Sequence, residues 1–254
     1  MTTIRVPYHL DEPLPEATLP DLPGASTVSP DLPDGDLWAR MAHLHEEVAV
    51  RVAESVRAAE APAVLSGDCM VALGTIAGVQ RAGVDASVVW FDAHGDLQTL
   101  ETSASGYMGG IPLRILVGYR PELSAERLGL RAVAEERVLL VDGRDLDPPE
   151  AEFLAASPLR RYGVEEVAAE ILPPGPIVLH VDLDVVDPGE FEGLLFPTPG
   201  GPGVSAVLDA ARRVLHTGRV AALSIGCTWD PDRSDPAARS GLVADLVSHR
   251  ASTG

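Results

Sequence analysis

With 254 residues, 46% of them hydrophobic and only 4% aromatic, the chain can bury a sizeable core of Ala, Val, Leu and Ile. This excludes disorder for the chain as a whole and suits one α/β domain over 1–254. Its 38 acidic residues face 19 arginines and no lysine, a net charge of −19, which argues against nucleic acid and anionic membranes as partners because both would repel it. The two cysteines, Cys69 and Cys227, form no disulfide framework. No apolar run reaches the ~20 residues of a membrane span. Residues 1–13 lack the basic and apolar blocks of a signal peptide, so the expected location is cytoplasmic, where thiols stay reduced.

In chain order, residues 3–6 read as a short strand and 10–35, rich in Pro, Asp and Gly, as an extended loop. Over 37–60, Leu37, Met41, Leu44, Val48, Val52 and Val56 recur three or four apart and predict an amphipathic helix. Alternation follows: strand 61–65, helix 70–81, strand 86–91, a polar loop to 106, a short helix at 113–117 and strand 137–142. Helices are then expected at 150–156 and 165–171, a strand at 176–181, a helix at 205–215, a strand at 220–225 and a last helix at 236–249. Strands alternating with helices predict a mostly parallel central sheet in a three-layer α/β/α fold. The nearly all-apolar runs Ala-Ser-Val-Val-Trp-Phe and Pro-Ile-Val-Leu-His-Val suit strands buried on both faces.

Three of these strands end in potential metal ligands: Ser66-Gly-Asp-Cys69, Asp92-Ala-His-Gly-Asp96, and His180-Val-Asp-Leu-Asp-Val-Val-Asp-Pro188. In open parallel sheets functional groups gather at the carboxyl edge. Residues two apart in extended chain point the same way, so Asp92, His94 and Asp96 aim at one point, and Asp182 and Asp184 do the same from another strand. Asp-x-Asp alone is usually a cap or a turn. Several carboxylates converging from separate strands would raise one another's pKa values unless cations balance them, and oxygen-rich ligation with one imidazole suits Mn²⁺.

These motifs resemble those of the ureohydrolase family of arginase, agmatinase and formimidoylglutamase: Gly-Gly-Asp-His, Asp-Ala-His-x-Asp and Asp-x-Asp-x-x-Asp-Pro. Thr198-Pro-Gly-Gly201 is similar to a further family stretch, and the likeness runs from about residue 62 to 231. The resemblance implies an arginase-like fold and two Mn²⁺ ions held by Cys69, Asp92, His94, Asp96, Asp182 and Asp184, with Asp92 and Asp182 bridging. It implies hydrolysis of a guanidino, hydroxyguanidino or amidine C–N bond by metal-bound hydroxide, with Asp96 as the catalytic group that orients it and takes its proton. Gln98, Ser105, Tyr107 and Thr228 fall at substrate-binding positions. A small-molecule substrate and a homo-oligomer, trimer or hexamer, are implied as well.

Departures from the family pattern bear on the chemistry. Cys69 stands where the family has a His ligand, and a thiolate shifts metal preference towards Zn²⁺, Fe²⁺ or Co²⁺. Gly109 stands at the family's proton-shuttle His, and Thr228 at its substrate-binding Glu. His180, two residues before Asp182, is a candidate substitute donor. The same departures fit a non-catalytic binding or assembly protein on this scaffold, and a single-Zn²⁺ amide hydrolase is a third reading.

Overall fold

The computed structural model describes residues 2–15, 18–226, 229–230, 232–233 and 235–248. Strands β1 (Thr3–Val6), β2 (Tyr8–His9), β3 (Glu12–Pro13) and β4 (Ser26–Thr27) precede α1 (Leu37–Arg57). Then come β5 (Ala63–Ser66), α2 (Val71–Arg81), β6 (Ser87–His94), α3 (Pro112–Leu116), α4 (Ala125–Leu128) and β7 (Val138–Asp145). The chain continues through α5 (Pro148–Ala156), β8 (Arg160–Tyr162), β9 (Ile177–Asp182), α6 (Val204–Leu215), β10 (Val220–Gly226) and α7 (Pro236–Ser248).

The main sheet has eight strands in the order β4-β1-β5-β10-β9-β6-β7-β8, and every pairing in it is parallel. Period-two alternation divides the core between its faces. On β6, Val88 and Trp90 join Leu44 and Val48 of α1 and Leu73 and Ile76 of α2, all buried. Val89 and Phe91 face the other way, into a cluster with Val207 and Val214 of α6 and Val243 of α7. Each such side chain contributes about 1.5–3 kcal/mol on burial, and the result is the expected α/β/α sandwich. Helix α1 starts where the Asp36 carboxylate accepts the Ala39 N–H at 2.8 Å, satisfying one of its unpaired first-turn donors.

Strands β5 and β6 follow one another in the chain, yet β10 and β9 lie between them in the sheet. Strand order therefore reverses there, and the loops leaving the carboxyl ends of β5, β10, β9 and β6 flank one crevice.

Three expectations need correction. Residues 165–171 form no α-helix: one 3-10 turn, Val164–Glu166, is followed by irregular chain. Arg213 of α6 donates to the Val167 and Val164 carbonyls at 2.6 and 3.3 Å, taking acceptors a helix would use, and Pro173-Pro174 biases Leu172 away from helical backbone. The loop over 10–35 contains paired chain, with β3 against β2 and β4 at the sheet edge. Arg160–Tyr162, unassigned from the sequence, is the opposite edge strand.

Candidate metal centre

The turn after β5 is set by Asp68, which is buried and accepts the Met70 N–H at 2.7 Å and the Leu10 N–H at 2.6 Å. These bonds hold Cys69 at the edge of the crevice and tie the β2–β3 hairpin to it. Strand β6 delivers Asp92 and His94. Asp96 follows in the left-handed region at φ 53°, a conformation that costs a non-glycine residue energy and that surrounding structure must hold. Glu150 does part of this, accepting the Leu97 N–H at 2.9 Å. Strand β9 delivers Asp182, but Asp184 lies on a 3-10 turn, Leu183–Val185, rather than on continuing strand. The Asp182 carboxylate accepts the Asp184 N–H at 2.9 Å and bends the chain there.

The six side chains singled out from the sequence meet around one cavity. Donor atoms of Cys69, Asp92 and Asp96 lie within 4.8 Å of one another, and so do those of Asp92, His94 and Asp184. Asp92 belongs to both groups. Cys69 Sγ lies 4.0 Å from Asp92 Oδ2. His94 Nδ1 lies 3.4 Å from Asp92 Oδ1 and 3.1 Å from Asp184 Oδ2. Its Nε2 faces Thr198 Oγ1 at 3.4 Å, so Nδ1 is the nitrogen turned to the cluster. Asp96 Oδ2 is buried without a hydrogen-bond partner among the described residues.

Burial and the neighbouring carboxylates push the carboxyls of Asp96 and Asp182 well above the usual range. For the same reasons Asp184 rises to about 6. Burial, then the carboxylates of Asp182, Asp96 and Asp92, push the Cys69 thiol up. Against the cost of burial, hydrogen bonds to Asp184 and Asp92 raise His94 to about 12. Burial opposes ionisation of Asp92 too, but its bonds with His94 outweigh that and lower its pKa. One imidazole cannot neutralise this many carboxylates. The orphaned Asp96 oxygen and a donor set of oxygens, one imidazole and one sulfur fit divalent cations.

The cavity measures about 270 Å³, and Gln98, Ser105 and Tyr107 line it. Both ends of the Gln98 amide are engaged: Nε2 donates to Asp147 at 2.6 Å and Oε1 accepts from Thr102 at 2.8 Å. Thr228 lies outside the described residues. His180 is not a cavity group. It is fully buried behind Cys69, with Nε2 3.3 Å from Sγ, Nδ1 3.1 Å from Ser224 Oγ and its ring 3.8 Å from that of Trp90. Burial lowers its pKa to about 3, so near neutrality it is the neutral imidazole and no imidazolium acid.

Sequence reasoning missed Asp145, Asp147 and Glu150, which line the cavity from the carboxyl end of β7 onwards. The signal was the run Arg144-Asp-Leu-Asp147 after an apolar strand, the same pattern as on β6. Phe196, also missed, lines the same cavity. Gly226, at the end of β10, makes room for the cluster: a Cβ there would lie 3.0 Å from Asp182 Oδ2 and 3.3 Å from Cys69 Sγ.

An all-parallel α/β/α sandwich with carboxylates, an imidazole and a thiol converging at the carboxyl ends of its central strands has the architecture of the arginases. The arginase family model matches residues 13–244, and the chain belongs to that family. It is 33% identical to an arginase of Bacillus subtilis over 170 residues, 62% of this chain and 57% of that protein. It is 35% identical to an arginase of Schizosaccharomyces pombe over 176 residues, 63% of this chain and 54% of that one. The match thus spans little more than half the length of these relatives. The crystal structure of the arginase from Bacillus cereus superposes with a TM-score of 0.82 at 22% identity, covering 100% of this chain and 98% of that one. The formimidoylglutamase from B. subtilis superposes at 0.73 and 17% identity, covering 98% and 85%. Both share the fold.

Proposed function

We propose that the protein is a binuclear metal-dependent hydrolase that cleaves a C–N bond of a guanidino, hydroxyguanidino or amidine compound. The observation that carries this reading is Asp92, common to two donor groups, beside the unpartnered Asp96 oxygen. In this reading Cys69, Asp92 and Asp96 hold one cation and Asp92, His94 and Asp184 the other, with Asp182 alongside. Mn²⁺ suits the oxygens, and the sulfur of Cys69 extends the choice to Zn²⁺, Fe²⁺ or Co²⁺. The cations supply Lewis acidity, which brings the pKa of water towards neutrality and makes it a nucleophile.

The protein does the rest. Seven carboxylates and no arginine line the cavity among the described residues, so a guanidinium or amidinium cation is concentrated there and an anionic substrate is repelled. Asp96 Oδ2 is the acceptor for the proton that water loses. Glu150, through the Leu97 N–H, keeps Asp96 at that position. Gln98, Ser105 and Tyr107 are the substrate-facing set, Thr228 joins them by its position in the family pattern alone, and the cavity volume suits a molecule of amino-acid size.

Elemental analysis followed by a substrate panel tests this. The expected result is about two metals per chain, with urea, hydroxyurea or an amide released from one of arginine, N-hydroxyarginine, agmatine, guanidinobutyrate or formimino compounds. Two metals without hydrolysis of any of these would remove the substrate assignment. Absence of metal after growth in manganese-rich medium would leave a binding or assembly scaffold.

A further inference from the structure

We propose that the Tyr107 hydroxyl, backed by His9, delivers a proton to the departing nitrogen; this rests on the hydrolase reading. An alkylamine cannot leave carbon as its anion, so the nitrogen needs a proton as it departs, and Tyr107 brings an O–H to the cavity from outside the candidate ligand set. Residue 109 lines the cavity but, as glycine, carries no side chain. The space above it is filled by Tyr107: a Cβ on Gly109 would lie 2.3 Å from ring atoms Cε1 and Cζ and 2.4 Å from the hydroxyl oxygen. Phe196 packs against this ring, tilted by 38° with centroids 4.9 Å apart. A side chain at 109 and the aromatic ring exclude each other, and here the ring has the place.

The hydroxyl is 3.2 Å from Nε2 of His9, a half-buried residue of the β2–β3 hairpin. His9 Nδ1 is 3.2 Å from the Gly67 carbonyl. A carbonyl only accepts, so Nδ1 carries a hydrogen. When Nε2 carries one as well, it donates to the Tyr107 oxygen, and the hydrogen of Tyr107 turns into the cavity. Among the described residues three titratable groups face His9: Tyr107, Asp68 of the turn after β5, and Glu12 across the hairpin.

The step balances. Water gives one proton to Asp96, and its oxygen adds to the guanidinium carbon, giving a neutral adduct C(OH)(NH₂)₂–NHR. As the C–N bond breaks, its electron pair returns to nitrogen, which takes the Tyr107 proton. Tyr107 is refilled from His9, and His9 from solvent. The O-protonated urea sheds its proton to solvent, and the amine takes the proton held by Asp96. Overall a guanidinium and one water become an ammonium and a urea. Tyr107 is the catalytic residue here, and His9 a positioning residue acting through it.

The test compares wild type, Tyr107→Phe, His9→Gln and the double variant Tyr107→Ala/Gly109→His, all metal-loaded, on an alkylguanidine that loses an alkylamine and an arylguanidine that loses a weakly basic aniline. Tyr107→Phe and His9→Gln are expected to lower kcat on the alkylguanidine by about 100-fold, the lower range for a general acid, with KM little changed. The loss is expected to shrink several-fold on the arylguanidine, and an imidazole at 109 to restore part of the rate. ¹⁵N NMR of the His9 ring, which needs no turnover, should show Nδ1 protonated and a shift of Nε2 in Tyr107→Phe. Equal losses on both substrates mark mere packing and overturn the proposal, as does an Nε2 signal unmoved by Tyr107→Phe. An active wild type unaffected by Tyr107→Phe overturns the relay alone. A metal-loaded wild type that hydrolyses neither substrate overturns the relay, and one that hydrolyses no compound of the substrate panel either overturns the hydrolase reading with it.

Discussion

Cys69 donates its thiol hydrogen to Asp182, with Sγ and Oδ2 2.8 Å apart. Burial and the surrounding carboxylates push the thiol up, so it keeps its proton until a cation displaces it. With Cys69 as a ligand in the proposed centre, metal uptake is expected to release protons and affinity to rise with pH. Loading with Co²⁺ is expected to produce a thiolate-to-cobalt charge-transfer band in the near ultraviolet, absent from Cys69→Ser. A cobalt-loaded wild type without that band would show that sulfur stays out of the coordination sphere.

Arg144 connects two parts of the site that are far apart in sequence. Its guanidinium pairs with Asp142 and donates to the carbonyls of Val185 at 3.0 Å, Asp184 at 3.3 Å and Thr198 at 2.6 Å. It thereby ties β7 to the turn carrying Asp184 and to the segment facing His94. Arg144→Met leaves the Asp142 carboxylate unpaired and three carbonyls without their donor. The expected cost is about 3 kcal/mol, from breaking a largely buried pair, with metal affinity about 10-fold weaker or more because the support behind a ligand is lost. Arg144→Lys keeps the charge but not the planar fork, and should recover only part. Urea titration and metal-binding calorimetry measure the two effects; wild-type values in both would refute this linkage.

Much of this architecture is legible in the sequence for one physical reason: β5, β6, β7, β9 and β10 pair with a parallel neighbour on each side, so their residues are apolar almost without interruption and the donors at their ends stand out. Period two also assigns His180 to the face of Asp182. It does not give depth, and His180 lies behind the thiol rather than in the cavity. Edge strand β8 pairs on one side only and carries Arg160 and Arg161, which disguises it. Residues 165–171 have helical composition, but acceptors there are taken by Arg213 from α6, a contact no local window contains. Tyr107 and His9 stand 98 positions apart, and only the closed sheet brings them together.

His45 gives a prediction independent of any metal. It is fully buried on α1, and neither ring nitrogen has a partner among the described residues. Burial lowers its pKa from 6.5 to about 4. Between these values the unfolded chain binds a proton that the folded chain does not. Its contribution is therefore fully present above pH 6.5 and is lost as pH falls towards 4, by about 3 kcal/mol in all. His45→Leu, of similar volume, should remove that acid-side slope from stability measured by urea unfolding across this range. Parallel curves for variant and wild type would contradict it.

The arrangement around Asp92 predicts an asymmetry among the proposed ligands. Asp92 shares one donor group with Cys69 and Asp96 and the other with His94 and Asp184, and its carboxylate also accepts from Trp90 Nε1 at 3.1 Å and the His94 N–H at 2.7 Å. These two bonds orient both oxygens without recourse to a cation. Asp92→Asn keeps the size and part of this bonding while removing the charge common to both positions, so it should take metal content from about two per chain to near zero, with the fold intact by circular dichroism. Asp184→Asn and Cys69→Ser each touch one group only and should retain about one metal. Equal losses in all three variants would mean that the two positions fill together rather than one by one. Retention of both metals in Asp92→Asn would remove Asp92 from the centre altogether.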